Sequence, residues 1–332
     1  MPEFLKRGLH SHEGKLLLVV LALIVFLSVA TPSFFTLQNL VDLLTSYAFS
    51  GMLAAGLLVV LISGGIDISF TASASVAQYV AMTVANAYHI GWLGVIGICG
   101  GVGIACGLLN ALLIGTLGLS SIIVTIATLN VFFGLLMFAT HGNEIFSLPD
   151  WFVNGASWVV YTDKNETPYA FNLQMLGLIS AFVLTAIILT RTNIGRQIYA
   201  LGSNKDAAQR VGIKVFRINL LVYGYMGFVA GMASLIQAQD AQSVSPNALV
   251  GRELDVLAAV VLGGASLTGG VGTVSGTILG VMLLACLENG LLLLGVPSYW
   301  SQCFTGAVIL IAVSALAIER QRHRAAARRV MA

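Results

Sequence analysis

Charge is what this chain has least of. Only 9% of its 332 residues are Asp, Glu, Lys or Arg, against roughly a quarter in soluble domains. Lys and Arg are absent altogether from residues 16–163. That scarcity excludes a soluble globular domain and points to a chain whose solvent is lipid. No G-x-x-x-x-G-K-[ST] phosphate loop occurs, so the chain has no nucleotide-hydrolysing site of that type. A nucleophile and base pair is also missing, as is metal-ligand spacing among His10, His12, His89, His141 and His323. The expectation is a chain that is not an enzyme and binds neither metal nor cofactor. Cys99, Cys106, Cys286 and Cys303 all fall in apolar stretches, where packing is the expected role rather than disulfides.

What is present is apolar sequence, at 58% hydrophobic residues. Runs of about 20 such residues recur, the length an α-helix needs to cross roughly 30 Å of hydrocarbon. A transmembrane barrel would instead show short alternating strands. The expected fold is all-α and polytopic, with about ten transmembrane helices and short broken or re-entrant segments. The spans fall near 16–35, 45–63, 66–87, 91–115, 119–140, 169–190, 215–238, 253–268, 272–294 and 299–318. The resulting organisation is an N-terminal segment 1–15, a transmembrane domain 16–318 containing a basic connection 191–217, and a basic tail 319–332.

Charge placement orients the chain. Of its 16 Lys and Arg, three precede the first span, six lie in 191–217 and five follow the last span. All become cytoplasmic if both termini are inside, as the positive-inside rule favours. The acidic connection 141–168 then lies outside. The first span is read as retained, because its cleavage as a signal peptide would put 191–217 on the wrong side. The tail suits contact with anionic lipid rather than nucleic acid. Trp92, Trp151, Trp158 and Trp300 fall near expected interfaces, as aromatic belts do.

Close helix packing is expected from spaced glycines: Gly97 and Gly101, Gly103 and Gly107, Gly227 and Gly231, and the series Gly272, Gly276 and Gly280. Two glycine pairs break apolar runs. In SGGIDIS, Gly64 and Gly65 precede Asp67, the one charge between Asp42 and Glu144, with Ser69 close behind. In VVLGGASLT at 260–268, Gly263 and Gly264 precede Ser266 and echo the first pair. Paired interruptions point to a transport pathway whose freed backbone groups meet protein or water. Asp67 has two readings, a cap near the membrane surface or a pathway carboxylate. Glu288, beside Asn289, is either a hydrogen-bonded packing residue or pathway lining, and Asn130 is a further pathway candidate. Glu253 and Asp255 are expected to begin the eighth span at the outer face, as helix caps or as a docking or gating point.

The connection 191–217 carries its own signals. Gly202 ends one segment, Ser203 or Asn204 caps the next, Asp206 lies in its first turn and Gly212 stops it. Ala207, Ala208 and Val211 give it a small apolar face, expected to be exposed, with Arg210 alongside. It reads either as a capped linker or as a knob for a cytoplasmic partner.

Residues 206–212, DAAQRVG, resemble the EAA-x-x-x-G coupling motif of importer permeases of the ATP-binding cassette class, with Asp206 for Glu. LISGGIDIS at 61–69, GLLNALLIG at 107–115, YALGSNKDAAQRVGIKV at 199–215 and ELDVLAAVVLGGASLTGGVGTVSGTILG at 253–280 resemble the ribose, xylose and galactose type sugar permeases in order along the chain. The resemblance implies an inner-membrane permease that pairs with a second copy or paralogue. It also implies docking of ATPase subunits that hold ATP and Mg, and receipt of sugar from a periplasmic binding protein. Phe70, Thr71, Ser120, Phe133 and Val271 depart from the usual pattern, so a furanose, a polyol or a sugar-like signal molecule stays open as solute. The alternative class is an ion-coupled secondary transporter of a small polar solute.

Overall fold

The computed structural model describes residues 11–154, 157–162 and 168–297, with single positions between 299 and 314. Most of the expected tenth span, the first ten residues and the basic tail therefore lie outside the described residues.

The chain begins with α1 (His12–Ala30), then α2 (Leu37–Ser46) and α3 (Ala48–Ile62). These are followed by α4 (Phe70–Tyr88), α5 (Trp92–Leu117), α6 (Ser121–Thr140) and the single turn α7 (Asp150–Val153). A small antiparallel hairpin, β1 (Ser157–Thr162) and β2 (Pro168–Asn172), interrupts the otherwise helical order. Then come α8 (Leu173–Arg191), α9 (Asn193–Ser203), α10 (Lys205–Arg210), α11 (Val215–Ala241), α12 (Arg252–Leu262) and α13 (Val274–Leu293).

Among the described residues, six helices are long and apolar enough to cross a membrane: α1, α5, α6, α8, α11 and α13. The pair α2 and α3, bent by 50°, makes a seventh when taken as one span. The expected third span is helical as α4, but Thr71, Ser73, Ser75, Gln78 and Asn86 make it more polar than those six. The expected eighth span is shorter than its apolar run. Its helix, α12, has 11 residues, about 16 Å at 1.5 Å per residue, or roughly half the hydrocarbon thickness.

The core forms around α3, in which every residue except Ser50 is buried. A helix apolar on all sides belongs in the middle of a bundle. By contrast α1, α6 and α8 bury less than a third of their spanning windows and leave apolar faces outward. Where lipid gives no hydrophobic drive, close backbone contact holds helices together. Helices α5 and α11 cross at glycines: a Cβ on Gly103 would meet the carbonyl of Gly227, one on Gly107 that of Tyr223, and one on Gly231 that of Cys99. Gly276 and Gly280 of α13 bring it likewise against Gly263 and Ala259. Gly97 and Gly101, expected to pack in the same way, meet nothing within 4 Å among the described residues.

At one end of the bundle Trp92 packs on Trp151 and Phe152, with ring centroids 5.5 and 5.1 Å apart, and Ile145 bridges to Val244. The opposite end holds the connection 191–217, both glycine breaks and the start of α1. Cys99 and Cys286 are buried as expected of packing thiols.

Candidate functional site

The two glycine breaks are built alike. Helix α3 ends at Ile62, Ser63 stays right-handed and Gly64 turns left-handed at φ 86°. Helix α12 ends at Leu262, Gly263 stays right-handed and Gly264 turns at φ 94°. Each closes with the same bond pair. Gly64 N donates to Leu61 O at 3.0 Å and Gly65 N to Val60 O at 3.2 Å. Gly264 N donates to Val261 O at 2.9 Å and Ala265 N to Val260 O at 3.2 Å. This is the Schellman closure, and a left-handed residue there favours glycine.

After the first break the chain runs unpaired for five residues, and neighbouring helices satisfy it. Ile66 N donates to Ser121 Oγ at 2.9 Å, and Thr125 Oγ1 donates to Ile66 O at 3.3 Å. Asp67 is 2% exposed. Its Oδ1 accepts from Ser69 N at 2.8 Å and Ser69 Oγ at 2.7 Å, and Asn110 Nδ2 in turn donates to Ser69 Oγ at 2.7 Å. The carboxylate is thereby bonded to Ser69, the residue from which α4 begins. After the second break Ser266 N donates to Val271 O at 2.9 Å, while Ser266 Oγ pairs with Thr268 Oγ1 at 2.8 Å.

These breaks meet each other and the connection 191–217 at Gly202. Gly270 N donates to Ile62 O at 2.9 Å, tying the second loop to the end of α3. A Cβ on Gly202 would collide with both of those groups, and one on Gly269 would strike Gly202 and Gly64. Tyr199 Oη, one turn earlier on α9, donates to Gly272 O at 2.7 Å. Burial pushes the Tyr199 phenol above its ordinary value, so it stays a donor. His12 Nε2 lies 3.0 Å from Leu262 O, bringing α1 to the same junction. Gly202 lies one residue before the end of α9, in keeping with its reading as the end of a segment, and is also the contact point.

The expected short helix is present as α10. Asn204 is its N-cap, with Oδ1 accepting from Ala207 N at 2.9 Å, Asp206 lies in its first turn, and Gly212 at φ 88° stops it. Ser203, Asp206, Ala207 and Arg210 are exposed. Val211 is 77% exposed but Ala208 only 3%. The apolar face is thus split, with Ala208 turned into the protein and Ala207 and Val211 outward.

A second group forms away from the connection 191–217. Tyr47 Oη donates to Glu288, and the two line a cleft of about 290 Å³ with Gln237, Asp240, Arg252 and Asp255. Asn289 does not pair with Glu288; it exchanges two bonds with Asn39 at 2.9 and 3.0 Å. Glu253 and Asp255 begin α12, which rises about 16 Å from its far end. Asp255 shares the cleft with Gln237 and Asp240, which lie at the end of α11 away from the connection 191–217. Tyr47 and Arg252 were missed by sequence reasoning, although Arg252 is the only basic residue between Arg217 and Arg320. Asn130 joins neither group: it is exposed on α6 and donates to Ile126 O at 2.8 Å. Among the described residues no group of three His, Cys, Asp or Glu could hold a metal ion.

Residues 39–313 match the family model described as branched-chain amino acid transport system / permease component. The L-arabinose ABC transporter permease protein AraH of Azospirillum brasilense is 33% identical over 318 residues, covering 95% of this chain and 90% of its own. The ribose import permease protein RbsC of Bacillus subtilis is 36% identical over 293 residues, 88% of each chain. The autoinducer 2 import system permease protein LsrC of Yersinia pseudotuberculosis is 30% identical over 306 residues, 91% of this chain and 83% of its own. No solved structure matches. With coverage of that extent by the family model and by full-length relatives, the chain belongs to the family of permease components of sugar ABC importers.

Proposed function

We propose that this chain is the transmembrane permease subunit of an ATP-driven importer, forming the pathway for a monosaccharide or sugar-like solute that a periplasmic binding protein delivers. It lies in the inner membrane with both termini cytoplasmic and pairs with a second permease, a copy or a paralogue. ATP and Mg are held by a separate ATPase subunit. That subunit docks on α10 through the exposed side of Ser203, Asn204, Asp206, Ala207, Arg210 and Gly212.

The observation that carries this reading is the junction at Gly202. A push on α10 reaches the end of α9, and there the backbone touches Ile62, Gly64, Gly269 and Gly270 without intervening side chains. One small movement of α9 is therefore passed to the ends of α3 and α12 together. Packed interfaces of this kind switch between discrete arrangements rather than deform smoothly, which suits alternating access. Helices α3 and α12 lead from the junction toward the cleft of Tyr47, Arg252, Asp255 and Glu288. Charged groups at membrane depth face water or protein, and this cleft is the better solute-facing candidate than the enclosed Asp67.

The test is purification of the protein from its own membranes, followed by uptake of ribose, arabinose, xylose and galactose in cells. The expected result is a stable complex with an ATPase subunit, and uptake of one of these sugars that persists when an uncoupler is added at maintained ATP. Uptake that collapses with the uncoupler, in a protein that purifies without an ATPase, would instead establish an ion-coupled transporter.

A further inference from the structure

The α8 side of the bundle carries an apolar groove that the transport reading leaves unused. It has a volume of about 440 Å³ and lies between α5 and α8, over α11. Its floor is made by the buried side chains of Met52, Val229, Leu235 and Ile236, and its lips by Ile96, Leu176 and Leu184, each at least 40% exposed. The one hydroxyl in its wall, Ser180 Oγ, already donates to Gly177 O at 2.9 Å, and no charged residue lines it. What the groove offers an occupant is therefore apolar surface.

Its position and width decide which apolar occupant fits. The lining residues come from the first turns of α5, from the start of α8 and from the second half of α11, so the groove lies in the half of the bundle away from the connection 191–217. Between residues 173 and 184 helix α8 rises about 16 Å, close to half of the ~30 Å of hydrocarbon and so to the depth of one leaflet. Spread over that length, a volume of about 440 Å³ leaves a mean width of roughly 6 Å. A helix with its side chains needs about 10 Å. The groove is thus too narrow for a span of a second copy and has room for a single extended hydrocarbon chain. Met52 and Met232 in its wall are unbranched and adapt to an occupant without a fixed shape.

The rim adds a preference of charge. Trp92 lines the groove where α5 begins and packs on Trp151 and Phe152, as aromatic residues do at a membrane interface. Asp150, which is exposed, directly precedes Trp151, and residues 16–163 contain no Lys or Arg. A headgroup on the α5 and α7 side of the rim therefore meets a carboxylate and no cation from those helices, which favours one that carries an ammonium.

We propose that the groove holds one acyl chain of a phospholipid of the phosphatidylethanolamine type, drawn from the leaflet opposite the connection 191–217. The chain fills the space over α11 that α5 and α8 leave open.

The experiment strips the full-length purified protein of lipid and titrates it with dioleoyl phosphatidylethanolamine and with dioleoyl phosphatidylglycerol, counting bound lipids by native mass spectrometry. Expected is one tightly bound phosphatidylethanolamine per chain, at least about tenfold tighter than phosphatidylglycerol, a difference of ~1.4 kcal/mol. Ser180→Phe and Leu184→Trp each push a ring into the groove and should weaken that binding by a similar factor. Ser180→Ala, and Leu135→Phe on an exposed part of α6, should bind like the parent. An unchanged melting temperature of the stripped protein shows that a blocking variant is folded, and either of the two suffices. The proposal is overturned if no single tight lipid is found, if phosphatidylglycerol binds as tightly, or if a folded blocking variant binds like the parent. A blocking variant that keeps the lipid but loses its second permease copy also overturns it, and assigns the groove to an interface between copies.

Discussion

At the residue scale, Asp67 looks like a functional carboxylate because a charge amid lipid-like sequence is costly. Its surroundings assign it another task, since its one described pair of bonds runs to Ser69 at the start of α4. An amide oxygen can accept the same two bonds. Asp67→Asn should therefore fold and transport like the parent, whereas Asp67→Ala should lose about 1–2 kcal/mol of stability. Thermal unfolding beside uptake checks both, and an Asp67→Asn protein with normal melting but no uptake would place the carboxylate on the solute. The two alanines of α10 part company for a similar reason. Ala208→Glu forces a charge into a buried position and should reduce the amount of folded protein in the membrane. Ala207→Glu adds its charge on the exposed side. It should leave membrane levels unchanged while uptake falls by about tenfold, equivalent to ~1.4 kcal/mol at a docking surface. Immunoblotting of membranes beside uptake separates the two outcomes.

At the scale of elements, spaced glycines in the sequence announce close helix contact but not which pairs make it. Gly103, Gly107, Gly227 and Gly231 meet across α5 and α11, whereas Gly97 and Gly101 on the same α5 meet nothing. The expected outcome is that Gly227→Val destabilises by about 1–3 kcal/mol or more through overpacking, while Gly97→Ala leaves the melting temperature of the isolated subunit unchanged. The short helix α10 was legible almost residue by residue, because Asn204, Asp206 and Gly212 act within one or two turns. Its buried face was not, because Ala208 and Ala207 are the same residue type and only the packing of α9 and α11 distinguishes them. The length of α12 was likewise hidden: apolar residues continue past Leu262, and hydropathy does not register the left-handed turn at Gly264.

At the scale of the whole molecule, the breaks, α10 and the start of α1 gather at one end, and the aromatic cluster of Trp92, Trp151 and Phe152 stands at the other. If the first end is cytoplasmic, Val211→Cys should react with a membrane-impermeant maleimide in inside-out vesicles and not in intact cells. Labelling above the background of the native cysteines in intact cells would reverse the orientation. A multi-pass permease that exposes apolar faces on α1, α6 and α8 and holds a polar cleft between helices presents each surface to a different medium. The first suit lipid and the second suits water or a neighbouring subunit.

The sequence by itself determined the class of the molecule. Sparse charge and runs of spanning length leave helices as the available structure in lipid, and four stretches in order carry the likeness to sugar permeases. Local closures such as the two glycine turns and the Asn204 cap were also determined there, because their bonds link residues no more than five apart. Only the tertiary structure decided what these pieces do together. Gly64 and Gly202 are separated by more than a hundred residues, Gly202 and Gly270 by three helices, and they touch only because α3, α9 and α12 end at one place. Tyr47, Arg252 and Glu288 share a cleft for the same reason. Contacts of that range depend on how helices cross, and crossing is set by packing between whole elements rather than by the sequence of any one of them.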